Sequence, residues 1–150
     1  MLHKRPWCAV AAVLAALPVA FAPIPKPRAN PAKEELRRLQ GRWELVSCSL
    51  GGKPMPVTPG AEADVIRGDR LTTVKGGEVV ASWRVTLDPA KAPRRMDLKG
   101  EGGKLQLAIY RLDGDTLTVS YKGERGATGR PADFRPGAGV WVVVLERKRP

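Results

Sequence analysis

An Asp-Gly pair stands between two runs of alternating apolar residues in the stretch Ile109-Tyr110-Arg111-Leu112-Asp113-Gly114-Asp115-Thr116-Leu117-Thr118-Val119. A tight turn of this kind joins antiparallel strands, because Asp and Gly tolerate the positive φ angles that two-residue hairpin turns require. The stretch therefore predicts a β-hairpin with strands over residues 104–112 and 116–121.

Period-two alternation recurs along most of the chain and predicts a small all-β domain. The predicted strands cover residues 43–50, 63–67, 71–75, 78–87, 96–98, 104–112, 116–121 and 140–145. In the first of them the apolar set passes from Trp43 and Leu45 to Val46, Cys48 and Leu50, which predicts a change of face midway along the strand, at a bulge. Short turns imply antiparallel meander connections, and the strand count fits a barrel or a sandwich. One short helix is predicted over residues 32–40.

The N-terminus predicts export. Residues 1–22 contain a basic start, an apolar run and the small-x-small end Ala20-Phe21-Ala22, which together are typical of a secretory signal. We therefore expect a periplasmic or secreted protein. Pro23 directly follows the predicted cleavage point and fits a peptidase groove poorly, so an uncleaved N-terminal anchor remains the alternative. A proline-rich spacer follows over residues 23–31, and residues 32–150 form the predicted domain.

Charge and composition favour some partners and exclude some chemistries. The net charge of +11 predicts attraction to an acidic polymer or an anionic membrane surface, but its spread along the chain indicates no specific nucleic-acid site. His3 is the only histidine and lies in the predicted signal, which excludes an imidazole base or a Cys/His zinc site in the mature chain. Neither a metal site nor a cofactor is predicted, and we expect a protein that is not an enzyme.

Cysteine and carboxylate side chains are further candidates for a site. Cys48 is the only cysteine after the signal and is interpreted as a small buried apolar residue. The carboxylates of Glu62 and Asp64, like those of Asp97 and Glu101, are interpreted as solvated strand ends, although an acid and base pair is the alternative.

The chain also resembles a known family. Gly41-Arg42-Trp43 resembles the start of the first strand in lipocalin-like barrels, which implies that Trp43 plugs the closed end while Arg147 lies across its ring. An ordered series of motifs is similar to a family of small exported lipocalin-like proteins, known mainly from planctomycete genomes and without an assigned activity. The motifs occur at residues 39–43, 52–54, 68–69, 87–89, 93, 96–98, 109–117, 130–131, 134 and 136–137. The resemblance implies an antiparallel up-and-down barrel of about eight strands with a short N-terminal helix, and no catalytic residues.

The candidate ligand-binding residues lie in a long loop and inside the predicted barrel. The Gly-, Pro- and Arg-rich loop over residues 122–139 carries Arg125, Arg130, Phe134 and Arg135. One hypothesis makes this loop a lid whose guanidinium groups bind an anionic group, and the other docks it against the barrel wall. Trp83, Val85 and Leu105 are predicted to line the interior. The favoured function is binding of a small apolar or amphipathic ligand, and the alternative is a basic cell-envelope protein that binds an acidic polymer.

Overall fold

The computed structural model describes residues 28–123 and 129–149. The predicted signal, most of the predicted spacer and Arg125 lie outside these residues. Helix α1 spans Pro31–Arg38, so Pro31 belongs to the helix and not to the spacer. Asn30 caps the helix, since its side-chain oxygen accepts hydrogen bonds from the backbone N–H groups of Ala32 and Lys33. The helix ends two residues earlier than predicted, before Leu39.

In the described part of the chain, nine strands follow the helix and form one antiparallel sheet. They are β1 Gly41–Leu50, β2 Lys53–Pro54, β3 Glu62–Arg67, β4 Arg70–Lys75, β5 Glu78–Asp88, β6 Arg94–Gly100, β7 Leu105–Asp113, β8 Thr116–Lys122 and β9 Val140–Lys148, with a short 3-10 turn at Glu101–Gly103. From β3 to β9 each strand pairs with the next in sequence, and β9 pairs back onto β1. The sheet thus closes into an eight-stranded up-and-down barrel, with β2 as a short addition beside the end of β1. The predicted lipocalin-like all-β barrel with a short helix is confirmed.

The hairpin predicted from residues 109–119 forms, but its turn is one residue further along. Asp113 pairs with Thr116, so the two turn residues are Gly114 and Asp115. Only Gly114 has a positive φ, at 59°. Glycine at the first turn position and an ordinary φ at the second are typical of a type II′ turn, and the predicted requirement for two positive φ angles is wrong.

The predicted bulge in β1 lies at Val46. Leu45 pairs with Leu145 of β9 and Ser47 pairs with Val144, so Val46 is an extra residue without a partner on β9. Its side chain is exposed. The insertion lets Leu45 and Cys48 both face the barrel interior although they are three residues apart.

One end of the barrel is filled by side chains, and we call it the sealed end. Leu39 and Trp43 are fully buried there, and the Trp43 indole N–H donates to the Leu39 carbonyl at 2.9 Å. Arg147 of β9 lies 4.2 Å from the Trp43 ring centroid, in the arrangement that the resemblance implies. Its guanidinium also donates to the backbone carbonyls of Arg38 and Gln40. Arg147 therefore joins the last strand to the chain that leaves α1.

Helix α1 contributes a buried carboxylate to the same end. Glu35 is 5% exposed and forms ion pairs with Arg38 at 3.0 Å and with Arg94 of β6. The Tyr110 hydroxyl on β7 donates to the Glu35 carboxylate at 3.4 Å. Burial, and then the negative charge of Glu35, raise the pKa of Tyr110. These contacts hold the helix over the sealed end.

Candidate functional site

A cavity of about 430 Å³ lies inside the barrel, on the other side of the Trp43 layer. The volume is within the roughly 300–1,000 Å³ typical of small-molecule sites. Met55 and Lys75 both line it and are exposed to solvent, so the cavity opens at this end in the described part of the chain. We call this the open end. Most of the wall is apolar: Leu45, Leu71, Ala81, Trp83, Met96, Leu98, Leu117, Val119, Trp141, Val143 and Leu145.

Neighbouring strands β3 and β4 supply a polar wall. Glu62, Asp64, Thr73 and Lys75 face the cavity because residues two apart on a strand share a face. Thr73 donates from its hydroxyl to Asp64 Oδ1 at 2.6 Å. Lys75 Nζ lies 3.7 Å from Glu62 Oε2 nearer to solvent. The polar wall therefore has an ion pair at its rim and a lone carboxyl group deeper inside.

Asp64 is the deeper carboxyl group of the polar wall. Burial raises its pKa from 3.8 to about 6, the Thr73 hydrogen bond opposes this effect, and the nearby charge of Glu62 adds to it. The second oxygen, Oδ2, accepts no hydrogen bond from the described residues and is not among the fully buried unsatisfied atoms. It therefore faces the space of the cavity.

Aromatic side chains form part of the wall, and two glycines make room for them. Trp83 packs against Gly100 of the neighbouring strand so closely that a Cβ there would lie 2.9 Å from the ring. Trp141 packs against Gly123 in the same way, also at 2.9 Å. The Tyr121 and Trp141 rings are stacked with their centroids 6.3 Å apart. Burial raises the pKa of Tyr121 to about 12, so its hydroxyl is a neutral hydrogen-bonding group at the cavity.

Cys48, which the sequence predicts to be a small buried apolar residue, is half-buried and lines the cavity. Burial, followed by the charge of Glu62, raises the pKa of its thiol. A thiol with a raised pKa is a poor nucleophile at neutral pH.

Two of the three residues predicted to line the interior lie inside the barrel, and the third lies outside it. Trp83 lies in the cavity wall, and Val85, two residues along β5, is buried in the core below it. The prediction for Leu105 is wrong: its side chain is 58% exposed and points outward, whereas its neighbour Gln106 lines the cavity. Strand β7 carries apolar residues on both faces, so alternation alone does not identify the inner one.

The described part of the predicted lid lies against the outside of the barrel. Arg130 donates to the carbonyls of Met96 and Ala108 and forms an ion pair with Asp97. The Arg111 guanidinium lies 5.1 Å from the Phe134 ring centroid. Neither Arg130 nor Phe134 lines the cavity. These contacts match the docking hypothesis for the loop.

Arg135 also lies away from the cavity wall. It is 86% exposed and pairs with Asp133, two residues earlier. The hydrogen bond from Arg135 lowers the pKa of Asp133. None of the described residues that the lid hypothesis assigns to ligand binding in the loop lines the cavity.

Two carboxylates predicted to be solvated strand ends have other environments. Asp64 is enclosed in the barrel, and Asp97 is the ion-pair partner of Arg130. The Glu62-x-Asp64 spacing is the available signal for the polar wall, because it places both carboxylates on one face of β3.

Within residues 28–123 and 129–149, no group of three or more His, Cys, Asp or Glu side chains is placed to hold a metal ion. No helix in the same residues has the length and apolar character needed to cross a bilayer. Comparison with known proteins found no match to a family model, a curated protein or a solved structure.

Proposed function

We propose that this protein is an exported binding protein that takes a small amphipathic ligand into its barrel. The observation that carries the proposal is the cavity of about 430 Å³, which lies between the sealed end of the barrel and the open end. An eight-stranded barrel either is filled by its own side chains or holds one small ligand. The cavity favours the second of these.

The wall favours an amphipathic ligand over a purely apolar one. Aliphatic and aromatic side chains of β5–β9 offer apolar surface, whose removal from water contributes about 25 cal/mol per Å². The polar wall of β3 and β4 offers hydrogen-bond partners to the other part of the ligand. Binding without catalysis is the simplest use of such a site, since burial raises the pKa of Cys48, the thiol in the lining, and makes it a poor nucleophile.

A neutral amphiphile tests the proposal directly. Because Trp83 and Trp141 line the cavity, we expect 1-decanol to change the intrinsic tryptophan fluorescence in a saturable way. Ala81→Phe places a ring in the cavity, whereas Val80→Phe places the same ring on the exposed outer face of β5. We expect Ala81→Phe to weaken decanol binding by at least about tenfold, and Val80→Phe to bind like the wild type.

The two variants separate a cavity from general surface adsorption. Equal decanol binding by the wild type and by Ala81→Phe, with both chains folded by circular dichroism, would show that decanol does not occupy the barrel. Absence of saturable binding to the wild type would overturn the proposed function itself.

A further inference from the structure

We propose that the ligand is an amphipathic amine whose ammonium group pairs with the Asp64 carboxylate inside the barrel. This inference rests on the proposed function, because it names the chemical class that the cavity accepts. It is carried by the position of Asp64, whose carboxylate lies inside the cavity with one oxygen bonded to Thr73 and the other facing the cavity.

The charges around the cavity favour a cation. Three charged side chains line it, namely Glu62, Asp64 and Lys75. Lys75 approaches Glu62 at 3.7 Å and is 65% exposed, so its charge is at the rim and largely in solvent. Asp64 has no cationic partner among the described residues. The cavity is thus acidic inside a chain with a net charge of +11.

The physical chemistry of the site distinguishes three head groups. An ionised carboxylate held away from water is unfavourable unless a cation or several hydrogen bonds accompany it. An ammonium group brings the opposite charge and three N–H donors, one of which can reach Asp64 Oδ2. A hydroxyl brings a hydrogen bond without the charge, and a carboxylate ligand is repelled. The expected order of affinity is amine, then alcohol, then carboxylate.

The ionisable groups facing Asp64 set the direction of the pH dependence. Glu62 lies beside it on β3, Lys75 and Thr73 on β4, Cys48 on β1 and Tyr121 across the barrel on β8. Tyr121 and Cys48 are neutral near pH 7, because burial raises both of their pKa values. Ionised Asp64 is therefore the main source of negative charge deep in the cavity, and amine affinity should decline as Asp64 is protonated.

The test compares three probes with the same chain length: decylamine, 1-decanol and decanoate, each titrated by tryptophan fluorescence at about pH 8. We expect decylamine to bind at least about tenfold more tightly than decanol, since a hydrogen bond between charged groups is stronger than one between neutral groups. Asp64→Asn retains the shape and removes the charge, so it should bind decylamine and decanol equally. Asp69→Asn, which makes the same change at an exposed carboxylate outside the cavity, is the matched control and should keep the whole preference.

Decanol separates failure of this inference from failure of the proposed function. If no probe binds, the proposed function is wrong. If decanol binds but decylamine shows no preference, or if Asp64→Asn keeps the preference, the assignment to Asp64 is overturned. Should Asp64→Asn fail to fold, the wild type alone tests the inference. Its decylamine affinity should fall between about pH 8 and pH 5 while its decanol affinity stays constant. A preference for decylamine over decanol that does not change over this range would refute the inference.

Discussion

At Asp64, folding favours the protonated carboxyl group, whereas binding of a cationic ligand favours the ionised one. Burial raises its pKa from 3.8 to about 6, so the folded chain holds this proton more tightly than the unfolded chain does. The contribution of Asp64 to stability is therefore greatest below about pH 4 and is lost as the pH rises through about 6. Above that pH the folded protein carries an unfavourable carboxylate that a cationic ligand would relieve.

The variant Asp64→Asn measures this effect without any ligand. We expect it to raise the free energy of unfolding above about pH 6 by about 1–3 kcal/mol relative to the wild type, and to change it little below about pH 4. Urea denaturation across this range gives the difference directly. Asp113→Asn, at an exposed position beside the hairpin turn, is the control and should give a difference that does not vary in this way. Lower stability of Asp64→Asn than of the wild type at every pH would contradict the prediction.

At the scale of the element, the bulge in β1 has a testable consequence. Removal of Val46 leaves Leu45, Ser47 and Cys48 in regular alternation, with the pairs to Leu145, Val144 and Val143 unchanged. Removal of Thr118 from β8 instead turns Val119 and Tyr121 to the outer face, because a shift of one residue reverses every side chain.

We therefore expect the Val46 deletion to fold and to lose about 1–2 kcal/mol of stability through the altered bend of β1. The Thr118 deletion should not give a folded barrel. Thermal unfolding followed by circular dichroism compares the two chains. Equal loss of structure in both would show that the bulge is required for barrel closure and is not merely an accommodated extra residue.

Local signals explain how much of the fold the sequence predicts. Turns and period-two alternation lie within a few residues, so the main strands, the bulge and the inner face of β5 at Trp83 and Val85 are predictable. Period-two alternation does not identify the inner face of strand β7, because both of its faces are apolar. The outward residues are Leu105, Leu107 and Ile109, and the inward residues are Ala108, Tyr110 and Leu112. Ile109 is nevertheless buried on its outward face.

The candidate site is less predictable than the fold because it depends on the presence and shape of a cavity inside the barrel. The sequence places Glu62 and Asp64 on one face of β3, but whether that face meets solvent, a side chain or a cavity depends on residues from seven other strands. The loop arginines are conspicuous by composition alone, and Arg130 forms its ion pair with Asp97, 33 residues away. Contacts at such separations leave no local pattern in the sequence.

At the scale of the whole molecule, charged side chains of both signs lie on the outer surface, whereas those of the cavity are two carboxylates and Lys75. Among the described residues most lysine and arginine side chains lie on the outer surface, and several of them are already paired, such as Arg135 with Asp133. Such a distribution predicts weak, nonspecific attraction to polyanions and no defined site for them. The acidic-polymer function considered from the sequence would instead require a concentrated patch.

Heparin chromatography distinguishes a distributed charge from a patch. We expect retention that is lost between about 0.05 and 0.2 M salt, because screening weakens many exposed contacts together. Arg95→Ala and Arg135→Ala each remove one exposed positive charge, one from β6 and one from the loop. A distributed charge predicts the same small decrease in elution salt for both variants. A much larger decrease for Arg135→Ala would instead place a polyanion site in the loop, and retention at high salt would indicate specific recognition that long-range attraction does not supply.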